Sequence, residues 1–96
     1  MLEYNVDLSG VRSYEDLIEA FNVGLIRSCG GEWTGNLDAF NDYLAWPESF
    51  PYRLKLAGWE SCYAALKSDI APGGQSRIDI IREILADERD VDVVCG

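Results

Sequence analysis

The middle of the chain reads YRLKLA over Tyr52–Ala57, where apolar and charged side chains alternate residue by residue. A period of two is typical of a β-strand that buries one face and exposes the other. The same alternation occurs over residues 2–8, and the valine-rich stretch 91–95 has the length and composition of a short strand. These segments predict three strands, and the alternation in the first two predicts that one face of their sheet meets solvent.

Helical patterns fill the intervals between the predicted strands. Ser13 and Ser76 each stand three residues before an aspartate and open a stripe of apolar residues at helical spacing, which is typical of a helix N-cap. Asn36 is a suitable N-cap for a helix that ends near residue 45, and a shorter helix is predicted over residues 59–68.

The order of these elements is strand, helix, helix, strand, helix, helix, strand. Strands joined by helical crossovers favour a parallel sheet, because parallel neighbours need long connections. A chain of 96 residues has room for one hydrophobic core. The sequence therefore predicts a single α/β domain over residues 1–96 with two layers, a three-stranded parallel sheet and about four helices.

The charge balance of the chain is strongly acidic. Seventeen acidic residues against eight basic residues leave a net charge of -9. Proteins that bind nucleic acids or anionic membranes normally present a basic surface, so neither is an expected partner. An acidic protein attracts basic partners instead, including proteins that themselves bind polyanions.

The cysteine content bears on the compartment. Cys29, Cys62 and Cys95 form no C-x-x-C pair, the chain has no histidine, and an odd number of cysteines does not suit a disulfide framework. We expect reduced thiols, with Cys62 and Cys95 as small buried residues. No leader pattern opens the sequence and no apolar run reaches membrane-spanning length, so the expected location is the cytoplasm.

Acids and aromatic residues are concentrated in residues 28–52, which contain no lysine or arginine. The acids and aromatic residues of this window are Glu32, Asp38, Asp42, Glu48, Trp33, Phe40, Tyr43, Trp46, Phe50 and Tyr52.

Two of these acids share one side of the predicted second helix. Asp38 and Asp42 are four residues apart, so they lie about 40° apart around the helix and face away from its apolar stripe. One interpretation is a solvated helix face; the other is a recognition surface, in which aromatic anchors supply binding energy and charges steer a basic partner. Trp33 and Trp46 suit either the core or such a surface.

Paired carboxylates also occur in glycosidases and magnesium sites. The chain lacks a histidine base, a G-x-S-x-G elbow and a phosphate-binding glycine loop, and Cys29 has no histidine to activate it. We therefore expect no enzymatic activity, no catalytic residue, no cofactor and no bound metal.

The run GNLDAFNDYL over residues 35–44 resembles the signature helix of the barstar family of ribonuclease inhibitors. The family pattern is Asn-Leu-Asp-Ala, a large residue, a variable residue, Asp, one residue and Leu. The likeness extends from Gly10 and the first helix to the Phe50-Pro51 strand entry, Arg82-Glu83 and the closing strand, and so covers essentially the whole chain. The resemblance implies a small parallel sheet covered by helices, in a protein that plugs the active site of a secreted bacterial ribonuclease.

The resemblance also implies which residues contact the enzyme. The acids that match Asp38 and Asp42 face the catalytic basic residues of the ribonuclease, where carboxylates take the place of RNA phosphates, and Glu83 adds to the same surface. Asn41 and Ala45 differ from the tryptophan and threonine of the best-known member. The candidate partner-binding residues are Glu32, Trp33, Asp38, Asn41, Asp42, Ala45, Trp46 and Glu83.

The function expected from the resemblance is that of an immunity protein. It would act in the bacterial cytoplasm as a monomer that forms a 1:1 complex with a basic microbial ribonuclease, with no direct contact to nucleic acid or membrane. The alternative is a barstar-like adaptor or regulatory protein without a nuclease partner, since family resemblance does not guarantee the founding activity. A general acidic mimic of nucleic acid is less favoured, because the charge is concentrated at one site.

Overall fold

Three parallel strands form the sheet of the computed structural model, which describes all residues Met1–Gly96. The strands are β1 (Leu2–Asp7), β2 (Tyr52–Ala57) and β3 (Val91–Cys95), and β2 lies between the other two. The predicted sheet is confirmed: both pairings are parallel, and only β1 differs in length, ending one residue earlier than expected.

Four α-helices connect the strands: α1 (Tyr14–Phe21), α2 (Leu37–Tyr43), α3 (Trp59–Leu66) and α4 (Arg77–Asp87). The predicted N-caps are confirmed. The side chains of Ser13, Asn36 and Ser76 each accept a hydrogen bond from the backbone N–H three residues later. Helices α2 and α3 end two residues before the predicted positions.

One local feature was not predicted. Helix α1 runs directly into a π-helical turn, Asn22–Ile26, and a 3₁₀ turn, Arg27–Cys29, before Gly30 ends the segment with a φ of 89°. A π turn is a single wider turn within a helical segment, and Leu17, Phe21 and Leu25 keep a spacing of four residues across it, so the hydropathy pattern does not distinguish it from an α-helix.

The two faces of the sheet have different environments, as the alternation predicted. On the inner face Tyr52, Leu54 and Leu56 are fully buried in a single core with the helices. On the outer face Arg53 forms an ion pair with Asp92 at 2.9 Å across to β3 and lies 3.8 Å from Glu3 of β1. Helices therefore cover one face of the sheet and solvent covers the other, which confirms the two-layer α/β architecture.

The cysteines are unpaired, and one of them differs from expectation. Cys62 is buried, and burial raises the pKa of its thiol to about 11. The expectation that Cys95 is also buried is wrong, because Cys95 is the final residue of the edge strand β3 and remains exposed. None of the helices combines the length and the apolar composition that crossing a membrane requires.

Gly24 allows the π-helical turn to contact β1 closely. A Cβ atom on Gly24 would lie 2.6 Å from the carbonyl oxygen of Asn5 and 2.9 Å from the Cα of Val6. These are backbone atoms, so relief would require the turn and the strand to move apart.

We predict that Gly24→Ala lowers the free energy of unfolding by about 1–3 kcal/mol, despite the better helix propensity of alanine, because the site is overpacked. Urea unfolding of the purified protein measures the change. Gly10→Ala is the matched control, since a Cβ there meets no atom within 4 Å. Equal stability of the two variants would contradict the close approach.

Candidate functional site

Three exposed carboxylates on two neighbouring helices form the candidate site. Asp38 and Asp42 lie on α2 and Glu83 lies on α4, and α2 and α4 contact each other in the fold. None of the three takes part in an ion pair within the chain. We call these residues the acidic surface.

Burial on the opposite side of α2 turns these acids outward. Phe40 and Leu44 are fully buried, whereas Asp38 and Asp42 occupy the exposed side of the same helix, as their spacing predicted. Asp38 also lies in the first helical turn, where the helix dipole favours a negative charge.

The expectation that Trp33 contacts a partner is wrong for this structure. Its side chain is only 1% exposed, and its ring lies 4.9 Å from Phe40 and 6.3 Å from Phe21, between centroids. The indole N–H donates a hydrogen bond to the carbonyl oxygen of Asn36 at 2.7 Å. Because its ring packs against aromatic side chains and its N–H has a hydrogen-bond partner inside the protein, Trp33 belongs to the core.

Other candidate residues remain accessible. Trp46 follows α2, is 48% exposed, and rests on the ring of Tyr43 at a centroid distance of 4.7 Å. Asn41 and Ala45 are also exposed. Trp46 is therefore the accessible tryptophan beside the acidic surface, and Trp33 is the buried one.

Glu32 is exposed, but its charge is compensated. Arg27 donates hydrogen bonds to both carboxylate oxygens of Glu32, at 2.8 and 2.9 Å, and two more to Glu19. These bonds hold the pKa of Glu32 below its ordinary value. Glu32 consequently contributes less to the external field than the acids of α2, although the sequence placed it in the same acidic window.

A buried asparagine that the sequence reasoning missed holds the loop before α2. Asn22 is 1% exposed; its Oδ1 accepts from the backbone N–H of Trp33 at 2.7 Å, and its Nδ2 donates to the carbonyl oxygen of Trp33 at 2.9 Å. Its sequence signal is a polar residue four positions after Ile18, within the apolar stripe that continues to Leu25.

Two tyrosines attach the remainder of this loop. The Tyr14 hydroxyl donates to the carbonyl oxygen of Gly35 at 2.7 Å, and the Tyr43 hydroxyl donates to that of Glu32 at 2.9 Å. Gly35 has a φ of 104°, which favours glycine. The loop before α2 is thus tied to α1 at Gly35 and to the last residue of α2 at Glu32.

The start of α4 is held by a similar local network. The hydroxyls of Tyr63 and Ser76 donate hydrogen bonds to the two carboxylate oxygens of Asp79, at 2.6 and 2.7 Å. Arg82 lies 3.1 Å from the Asp79 carboxylate and 5.1 Å from the Tyr63 ring centroid. Arg82 therefore pairs with Asp79, and its neighbour Glu83 keeps an uncompensated charge.

The structure brings no set of three or more cysteine or carboxylate side chains close enough to hold a metal ion. Neither a protein-family model nor a curated protein matches this chain significantly. Exposed carboxylates such as those of Asp38, Asp42 and Glu83 can act through negative charge and as hydrogen-bond acceptors.

We predict that Asn22→Ala lowers the free energy of unfolding by about 2 kcal/mol or more, because two backbone groups of Trp33 lose their partner in a buried position. Urea unfolding measures the loss. Asn5→Ala is the control, since Asn5 is exposed on β1. If both variants lose the same free energy of unfolding, the two hydrogen bonds of Asn22 contribute no more to stability than an exposed asparagine does.

The carboxyl of Asp79 predicts a pH dependence. Its pKa lies below the ordinary 3.8, chiefly because Tyr63 and then Ser76 donate hydrogen bonds to it. The stabilisation is complete above pH 3.8 and disappears as the pH falls through the depressed native value. Denaturant midpoints should therefore fall more for wild type than for Asp79→Asn between neutral pH and a pH below 3.8. Equal falls would contradict this role.

Proposed function

We propose that this protein inhibits a microbial ribonuclease by placing its acidic surface in the basic active site of the enzyme. The observation that carries the proposal is the uncompensated charge of Asp38, Asp42 and Glu83 on two neighbouring helices. Six of the other fourteen acids of the chain are ion-paired, namely Glu3, Glu19, Glu32, Asp69, Asp79 and Asp92.

The mechanism needs no covalent chemistry. A ribonuclease cleft presents basic groups to RNA phosphates, and carboxylates offer the same charge and similar hydrogen-bond acceptors to those groups. The net charge of -9 draws the inhibitor toward a cationic enzyme, and the acidic surface sets its orientation.

The local frame supports this mechanism by limiting the entropy lost on binding. The Asn36 cap, the Asn22 pair with Trp33 and the tyrosine bonds hold the start of α2 before any partner arrives. A preorganised surface loses less conformational freedom in the complex, so more of the contact energy contributes to affinity.

The resemblance of residues 35–44 to the signature helix of the barstar family supports the identity of the partner class. On this proposal the protein is a non-enzymatic immunity protein of the bacterial cytoplasm, and it forms a 1:1 complex with the ribonuclease. Asn41 and Ala45 depart from the best-known member at the edge of the surface, which bears on the choice of enzyme rather than on the acidic centre.

We predict that wild-type protein inhibits at least one enzyme in a panel of small microbial ribonucleases and that Asp42→Ala and Asp38→Ala weaken this inhibition. In protein complexes generally, truncating one partner of a buried charge pair weakens binding by about 2–5 kcal/mol. The best-known barstar complex is itself a source of that general value. Asp42→Ala should show the larger loss, as the resemblance implies. Higher salt should slow association more than it accelerates dissociation.

Glu60→Ala is the matched control, because Glu60 is also an exposed acid in the first turn of a helix, on α3. Equal inhibition by wild type and Asp42→Ala would overturn the phosphate-mimic mechanism. If no ribonuclease is inhibited and a pull-down from the native host recovers a protein other than a nuclease, the adaptor function replaces the proposal.

A further inference from the structure

Three large apolar side chains lie exposed beyond the end of α2. Leu2, Trp46 and Phe50 keep 44%, 48% and 45% of their surface accessible. We call these three residues the apolar rim. Apolar residues scattered singly on a surface need no explanation, whereas a contiguous group indicates a contact site.

The members of the apolar rim are contiguous through Leu2. Leu2 and Trp46 line one surface depression of about 420 Å³, together with Glu48, and Leu2 and Phe50 line a second of about 520 Å³, together with Pro51. The rim therefore joins the first residues of β1, the turn after α2 and the entry to β2.

Two tyrosines of the neighbouring elements contact the aromatic side chains of the rim. The Trp46 ring rests on Tyr43, and the Phe50 ring lies 5.4 Å from that of Tyr52, between centroids. The Tyr52 hydroxyl in turn donates to the carbonyl oxygen of Leu44 at 2.6 Å. These contacts present the apolar side chains on a support that is part of the core.

The rim continues the acidic surface. Asp42 lies in the last turn of α2, and Trp46 follows the helix by three residues, with its backbone N–H bonded to the carbonyl oxygen of Tyr43 at 3.1 Å. The rim therefore begins at the end of the helix that carries the two aspartates, and Leu2 and Phe50 extend it through the two depressions.

Charge selects among the possible occupants of this rim. Glu48 lines the depression between Leu2 and Trp46, residues 28–52 contain no lysine or arginine, and the chain carries a net charge of -9. A second copy of the chain and an anionic membrane would both be repelled, whereas a cationic protein surface would be attracted.

We propose that the apolar rim is a second contact zone for the same basic ribonuclease, covering an apolar part of the enzyme surface beside its active-site cleft. This inference rests on the proposed function. Long-range charge acts mainly on association, whereas buried contacts, both apolar contacts and paired charges, act mainly on dissociation. The net charge thus guides the enzyme into place, and the rim adds to the paired carboxylates in prolonging the complex.

The experiment measures association and dissociation rates of the inhibited ribonuclease with Leu2→Thr and Phe50→Ser. Each substitution should accelerate dissociation by about tenfold while leaving the association rate and its salt dependence unchanged. Val23→Thr is the matched control, since Val23 is an exposed apolar residue, 64% accessible, in the π-helical turn and outside the rim. Urea unfolding identifies any variant that loses stability, and Leu2→Thr alone suffices if Phe50→Ser does not fold.

The two proposals fail in different ways. If wild type inhibits the enzyme, Asp42→Ala does not, and both rim variants dissociate at the wild-type rate, then the rim proposal is wrong and the proposed function stands. A wild-type dimer that Phe50→Ser abolishes in sedimentation would assign the rim to a second copy instead. If no ribonuclease is inhibited at all, both proposals are overturned.

Discussion

The pair of hydrogen bonds between the Asn22 side chain and the backbone of Trp33 is the constraint on which the candidate site depends. A peptide group offers one donor and one acceptor, and a side-chain amide satisfies both at once. The pair holds the loop against the π-helical turn, with the indole beside Phe21 and Phe40. The indole N–H then donates to the carbonyl oxygen of Asn36, the residue that caps α2, so the buried amide holds the start of the acidic helix against the core.

Charge pairing inside the chain defines the character of its surface. Most basic side chains are engaged with acids of the same molecule, namely Arg27, Arg53, Lys55, Arg77 and Arg82. Such exposed pairs contribute little to stability, but they cancel charge locally. Because acids outnumber bases, several carboxylates have no ion-pair partner in the chain, among them those of α2 and Glu83 of α4.

The two tryptophans that flank α2 have different environments. Trp33 precedes α2, fills the space between α1 and α2, and fixes the helix from inside. Trp46 follows α2, contacts the ring of Tyr43 and keeps 48% of its surface exposed. The helix thus carries an anchor into the core at one end and an exposed aromatic at the other, with Asp38 and Asp42 between them.

Periodic and local features were determined by the sequence alone. The alternation in β2, the caps at Ser13, Asn36 and Ser76, and the outward phase of the acids follow from neighbours within a few residues. The burial of Trp33, the π-helical turn and the compensation of Glu32 by Arg27 were decided by tertiary structure. Each of these features depends on how the elements pack against one another. Asn22, for example, donates to the backbone of Trp33 eleven residues away, and no periodicity in the sequence indicates which distant groups will come into contact.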